Sequence, residues 1–172
     1  MEKLELKHIA PYLPYGLKAR CDDETYRLAE KDRIGVIDYW DGEVEKISIS
    51  PIDKNGYFLC NINECKPILR PMSDLYKPIL PQNHIPIIEL AKIAYANCYP
   101  FELENNKLKI TNGGFYYFYW GENSFITIYR FDGVGRVVPN QLELFQYLFQ
   151  HHFDVFGLID KGIAIDINKL NK

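Results

Sequence analysis

The sequence predicts an α+β protein: an N-terminal SH3-like small antiparallel β-lobe, a proline-rich connector, and a C-terminal lobe of β-hairpins with two main helices. Three observations lead to this fold class. Turn chemistry recurs at short intervals between Gly16 and Ile62; five of the ten prolines fall between Lys66 and Pro86; and two segments with helical apolar spacing bracket a run of aromatic-rich strands. The corresponding partition is residues 1–65, 66–85 and 86–172, or one continuous domain. A chain of 172 residues buries roughly 70% of the surface it exposes when unfolded, so its core can form without a metal or a cross-link.

The N-terminal lobe rests on short, partly alternating segments between reversals: Leu17–Arg20, Tyr26–Ala29, Ile34–Tyr39, Val44–Ile49 and Tyr57–Cys60. Five short strands joined by tight turns read as a curled antiparallel sheet. The connector follows from Pro67, Pro71, Pro78, Pro81 and Pro86. Proline lacks the backbone donor that a central strand or long helix needs. Ser73 and Asp74 can start one helical turn there.

In the C-terminal lobe, Pro86 suits a helix's first turn, and Ile87, Leu90, Ala91 and Ala94 recur at helical spacing, predicting a helix over Pro86–Asn97. Two hairpins follow, Phe101–Glu104 with Lys107–Thr111 and Phe115–Trp120 with Phe125–Phe131. Asn140 and Glu143 have capping-box spacing, and Leu142, Phe145, Leu148, Phe149 and His152 share a face, which predicts a helix over Gln141–His152. A short helix ending at Gly162 and a strand carrying Ile163, Ile165 and Ile167 complete the chain.

Composition limits function. Hydrophobic residues make up 47% and charged residues 25%, as in ordinary globular proteins. Twenty basic residues are scattered among 23 acidic ones, for a net charge of −3. General nucleic-acid binding, which needs clustered Lys and Arg, is disfavoured, although folding can still assemble a local basic patch. No apolar run approaches the about 20 residues of a membrane span. Met1–His8 is charged and lacks a signal peptide's apolar stretch, so the cytoplasm is the expected location. Cys21, Cys60, Cys65 and Cys98 form no Cys-x-x-Cys pair, which points to buried, reduced thiols rather than a zinc site. Phosphate-loop, dinucleotide and nucleophile-elbow motifs are missing from the sequence, so neither an enzyme nor a cofactor is expected.

Three groups of residues are candidates for binding. In Phe115–Trp120, alternation places Tyr117 and Tyr119 on one side of a strand, where an open face could stack a base or sugar at about 1–3 kcal/mol each; the plainer alternative is a strand covered on both faces. Arg70 sits between prolines, four residues before Asp74, and a rigid guanidinium there can hold a carboxylate or phosphate; a structural Arg–Asp pair is the plainer alternative. His152 and Asp154 lie on different helix faces, which disfavours a shared metal and favours a core histidine with one hydrogen bond. Asp160 and Asp166 read as solvated carboxylates, and Gly133-x-Gly135 as a hairpin turn.

Three blocks, LELKHIAPYLPYGL (Leu4–Leu17), KPILRPMSDL (Lys66–Leu75) and LELFQYLFQHHFDVFGLIDKGIAIDINKL (Leu142–Leu170), resemble an uncharacterised protein family of phages and prophages of Bacteroides-type bacteria. They cover about a third of the chain, and Arg70, Asp74, His152 and Asp154 lie inside them. The resemblance implies a mobile-element origin and carries no catalytic residue. From these readings we expect a non-catalytic phage accessory protein that binds a host protein. The alternatives are a small-molecule or nucleotide-sequestering protein and a nucleic-acid-associated replication factor. Tyr-rich strands can also make dimers.

Overall fold

The computed structural model describes residues 3–22, 34–41, 46–52, 56–81, 83–95, 101–111, 115–129 and 132–170, with backbone alone at 39–41, 111, 115–116 and 129. It is an α+β structure with two sheets, and it divides into two compact units: Met1–Pro71 with Phe149–Lys172, and Met72–Leu148. The expected boundaries at 65/66 and 85/86 therefore differ from this division, because the last part of the chain returns to the core of the first unit.

The first unit opens with α1 (Leu6–Ile9) and a 3₁₀ turn (Ala10–Tyr15) that ends at Gly16, whose φ of +66° is the left-handed conformation glycine adopts without strain. Its sheet comprises β1 (Lys18–Cys21), β2 (Ile34–Asp41), β3 (Lys46–Pro51), β4 (Phe58–Asn61) and β5 (Cys65–Leu69). The order is β5-β1-β2-β3-β4, with β11 (Ile165–Asp166) added in parallel outside β5. The predicted strand at Tyr26–Ala29 lies outside the described residues.

β5 corrects the reading of residues 66–85 as a connector: its first part is an interior strand despite Pro67. The backbone parity explains why. Asp22 N–H donates to Glu64 O at 2.8 Å, so 22 opposite 64 and 20 opposite 66 are the hydrogen-bonded pairs. Ala19 and Pro67, also in register, then form a non-hydrogen-bonded pair. The missing donor of Pro67 points away from β1, toward the side where β11 reaches only Ile68 and Leu69.

A second correction concerns the cysteines. Cys21 on β1 and Cys60 on β4 are joined in a disulfide, with Cα atoms 5.9 Å apart, while Cys65 is a free, buried thiol. Spacing did not reveal the pair, since β1 and β4 meet only because the sheet curls. Cys98 lies outside the described residues. Around the cross-link, Ile9, Tyr12, Leu17, Ile47, Ile49, Leu69 and Leu158 form one fully buried cluster.

The second unit is a five-stranded antiparallel sheet in the order β10-β9-β8-β7-β6. Its strands are β6 (Phe101–Glu104), β7 (Lys107–Thr111), β8 (Phe115–Gly121), β9 (Ser124–Tyr129) and β10 (Gly135–Val137). Both predicted hairpins are present. Their two-residue turns, Asn105-Asn106 and Glu122-Asn123, have positive φ at both positions, the backbone twist that matches twisted strands. One sheet face, with Leu108, Ile110, Phe118 and Phe125 fully or almost fully buried, packs on α2 (Pro86–Ala94) and on the start of α3 (Gln141–Gln150). Tyr95 meets Phe118 at 6.1 Å and Phe145 meets Trp120 at 5.7 Å, edge to face.

Both helices end earlier than expected, α2 at Ala94 and α3 at Gln150. His152 consequently lies past the helix, in the left-handed region at φ +56°. The Asn140 side-chain amide reaches Glu143 at 3.4 Å and donates to Ile93 O at 3.0 Å, tying the start of α3 to α2. Gln141 does more at this end: its amide accepts from Phe125 N–H and donates to Phe125 O and Val138 O. Residues 155–162 are turns rather than the predicted helix, and the predicted final strand is shortened to β11. No helix among the described residues is long and apolar enough to cross a membrane.

Candidate functional site

Arg70, His152 and Asp154 come together in the first unit. Arg70 N–H donates to His152 O and Asp154 N–H to Arg70 O, both at 2.8 Å. The guanidinium carbon lies 5.9 Å from the Phe153 ring centroid. The Asp154 carboxylate is buried and accepts from Leu158 N–H and Ile159 N–H, each at 2.8 Å. Burial raises its pKa, and the two N–H groups act against that rise. His152 Nε2 is 3.0 Å from Tyr15 O; a carbonyl only accepts, so Nε2 carries the proton. Burial lowers the imidazole pKa, which keeps the ring neutral. The chemistry of this group is bracing: two backbone bridges, one cap and one imidazole donor hold the tail against Tyr12 and Tyr15.

Asp74 belongs to the second unit, in the 3₁₀ turn Met72–Tyr76, where its buried carboxylate faces Lys77 at 3.6 Å. Tyr117 and Tyr119 also lie in that unit, on the sheet face opposite Phe118. Both are half-buried. The Tyr117 hydroxyl donates to Glu104 at 3.3 Å, and the Lys107 ammonium stands 4.9 Å from the Tyr119 ring centroid. Nearby positive charges have acidic partners: Lys109 with Glu102 at 3.1 Å and Arg136 with Asp132 at 2.8 Å. This face therefore offers rings more than charge.

Sequence reasoning missed a cavity of about 350 Å³ in the first unit, a volume within the range of small-molecule sites. Chain segments far apart in sequence build it. Lys3 and Leu4 precede α1. Ile62 and Asn63 come from the 3₁₀ turn Ile62–Glu64, which Asn61 caps by accepting from Asn63 N–H at 2.9 Å. Cys65 and Lys66 begin β5. Lys161, Gly162 and Ile163 belong to the turn that the Asp154 cap organises, with Gly162 at φ +73°. Lys3, Lys66 and Lys161 thus share one wall set, which among the described residues includes no carboxylate. Asp22 stands outside it, 3.8 Å from Lys66.

The remaining lining is apolar: Leu4, Ile62, Ile163 and the Cys65 thiol. Burial, aided by the Asp22 charge, pushes that thiol up to about 12, so it is neutral at pH 7 and lends the cavity apolar surface. Cationic walls over an apolar floor can hold a small anion that carries an apolar body. No sequence signal announces this site, because the three lysines are spread over the chain and each is matched locally by acidic neighbours in sequence.

The cavity and the bracing group draw on the same stretches. Residues 4–17, 66–71 and 149–170, parts of the three resembling blocks, interlock in the first unit: the Tyr12 hydroxyl donates to Phe153 O at 2.7 Å and accepts from Val155 N–H at 3.3 Å. Among the described residues, no group of three His, Cys, Asp or Glu side chains is placed to hold a metal ion. No family model, no curated protein and no solved structure matches the chain.

Proposed function

We propose that this chain is a non-catalytic binding protein whose site is the three-lysine cavity of the first unit, and whose ligand is a small anion such as a nucleotide or another phosphate- or carboxylate-bearing molecule. The observation that carries this reading is the convergence of Lys3, Lys66 and Lys161 on one cavity in a protein of net charge −3. The lobe that holds the site is SH3-like. Supporting that reading are the order β5-β1-β2-β3-β4 and the 3₁₀ turn between β4 and β5. The phage or prophage origin and the host-cell cytoplasm are part of the same proposal, in which sequestering a small molecule is the accessory role.

Equilibrium dialysis against pyrophosphate, adenosine monophosphate and a short-chain carboxylate tests it. At least one of them is expected to bind saturably and more weakly as salt is raised. Lys3→Glu combined with Lys66→Glu should weaken that binding by about tenfold or more, the equivalent of about 1.4 kcal/mol. No saturable binding of any of the three overturns the reading. Excess absorbance at 260 nm in freshly purified protein would identify the ligand as a nucleotide.

A second reading, a host-protein partner, is favoured by the outward Tyr117 and Tyr119 with Ile128 half-buried beside them and Val137 exposed. Aromatic residues of this kind anchor protein interfaces. A pull-down from host lysate that loses its specific partner on Tyr117→Ser with Tyr119→Ser supports it; a dimer that the same change dissociates assigns the face to self-association. A gel shift that weakens steeply with salt would instead favour the nucleic-acid role.

A further inference from the structure

Cys65 borders the cavity and also stands opposite Cys21 on the neighbouring strand. The two are in register between β1 and β5, and the Asp22 N–H to Glu64 O bond one position along makes theirs a non-hydrogen-bonded pair. In such pairs the Cα atoms are about 4.5 Å apart, inside the about 4.4–6.8 Å span that a disulfide accepts. Cys21 is already bonded to Cys60, whose Cα is 5.9 Å from its own. All three sulfur-bearing residues are buried in one hydrophobic cluster. The Cys21 sulfur therefore has two partners within reach, one on each side.

We propose that Cys21 exchanges its disulfide between Cys60 and Cys65, and that this exchange remodels the anion cavity, because Cys65 is one of the cavity's walls while Cys60 is not. The coupling rests on the cavity being the binding site; the exchange does not. In the step, the Cys65 thiol loses its proton and its sulfur attacks Cys21 Sγ. The Cys21–Cys65 bond forms, the Cys21–Cys60 bond breaks, and Cys60 leaves as a thiolate that takes up a proton. One disulfide and one thiol are present before and after, so no oxidant or reductant is consumed. The attacking species is the thiolate, so the buried Cys65 reacts slowly at neutral pH and faster in alkali. A relaxed disulfide spaces its Cα atoms about 5.5–6 Å apart, so linking Cys65 to Cys21 shifts the start of β5 away from β1 and moves the adjoining Lys66 with it.

The test uses the full chain with Cys98→Ser, which leaves three sulfurs. Protein equilibrated with trace reduced glutathione at alkaline pH is quenched with N-ethylmaleimide, digested without reduction and mapped by mass spectrometry. Both Cys21–Cys60 and Cys21–Cys65 peptides are expected. Cys60→Ser treated with oxidised glutathione should form Cys21–Cys65, and Cys65→Ser should retain Cys21–Cys60. The map of the three-sulfur protein decides the matter should either further variant fail to fold. A Cys21–Cys65 peptide at background level throughout overturns the exchange, whatever the cavity binds. Pyrophosphate dialysis on the two locked forms tests the coupling. Affinities that differ by about tenfold or more, beyond what a surface charge pair gives, are expected. Equal affinities, or no binding by either form, overturn the coupling while leaving the mapped exchange intact.

Discussion

Tyr12 shows how much one hydroxyl can organise. It is fully buried, its ring stands edge to face against Phe149 at 5.0 Å, and its oxygen joins the Phe153 carbonyl to the Val155 amide. Tyr12→Phe keeps the ring and removes both bonds of the hydroxyl, while Val155 N–H keeps its 2.9 Å bond to Phe153 O, and should cost about 0.5–1.5 kcal/mol in urea denaturation. Asp154 acts through charge. Its folded-state pKa lies above the ordinary 3.8 because of burial, so the folded protein holds that proton more tightly than the unfolded chain. The resulting stability is complete below 3.8 and is lost as pH rises through the raised value. The margin of wild type over Asp154→Asn should therefore shrink as pH rises from about 4 to 7, read from urea midpoints at each pH. The hydrogen bond of His152 to Tyr15 O is made from beyond the end of α3 and not from its apolar face, and Arg70 is bridged to the tail through its backbone. Tyr12 was not legible: it is one of 13 tyrosines, and its partners lie more than 140 residues away.

Among the elements, legibility follows the range of the contacts that make them. The hairpins of the second unit and helices α2 and α3 are closed by neighbours in sequence, and alternation or helical spacing announced them. β5 was missed because proline content argues against a central strand, and only the pairing parity with β1 shows that Pro67 forfeits no bond there. β11 was seen, but its parallel partner was not, since no local pattern specifies one. The β2–β3 pair carries a further constraint that spacing did not show. A Cβ at Gly35 would press on the Ser50 carbonyl and the Ile49 side chain across the strands. Gly35→Ala must separate β2 from β3 or bend one of them. It should lower stability by about 1–3 kcal/mol, seen as a fall in Tm by circular dichroism, whereas alanine at Gly135, whose Cβ would meet only a side-chain methyl at 3.4 Å, should be much milder.

At the scale of the whole molecule, one unit is continuous in sequence and the other is assembled from two separated pieces. The piece before Pro71 and the piece after Phe149 are joined by the paired backbones of Arg70 and Phe153, so a short Gly-Ser linker can replace residues 72–148. The shortened protein should fold, keep the Cys21–Cys60 cross-link and bind the same anion; a urea profile without a cooperative transition by circular dichroism would show that it does not fold. The cavity was invisible to sequence reasoning for the same reason that the first unit was: both are made by residues that the chain order keeps apart. The split arrangement also bears on biosynthesis. Phe153, Val155 and Leu158 leave the ribosome only after 72–148 has been made, so the nascent N-terminal piece must wait with Ile9, Tyr12 and Leu69 uncovered. During that interval it presents the apolar surface that chaperones recognise, while the continuous unit already has every residue needed to close.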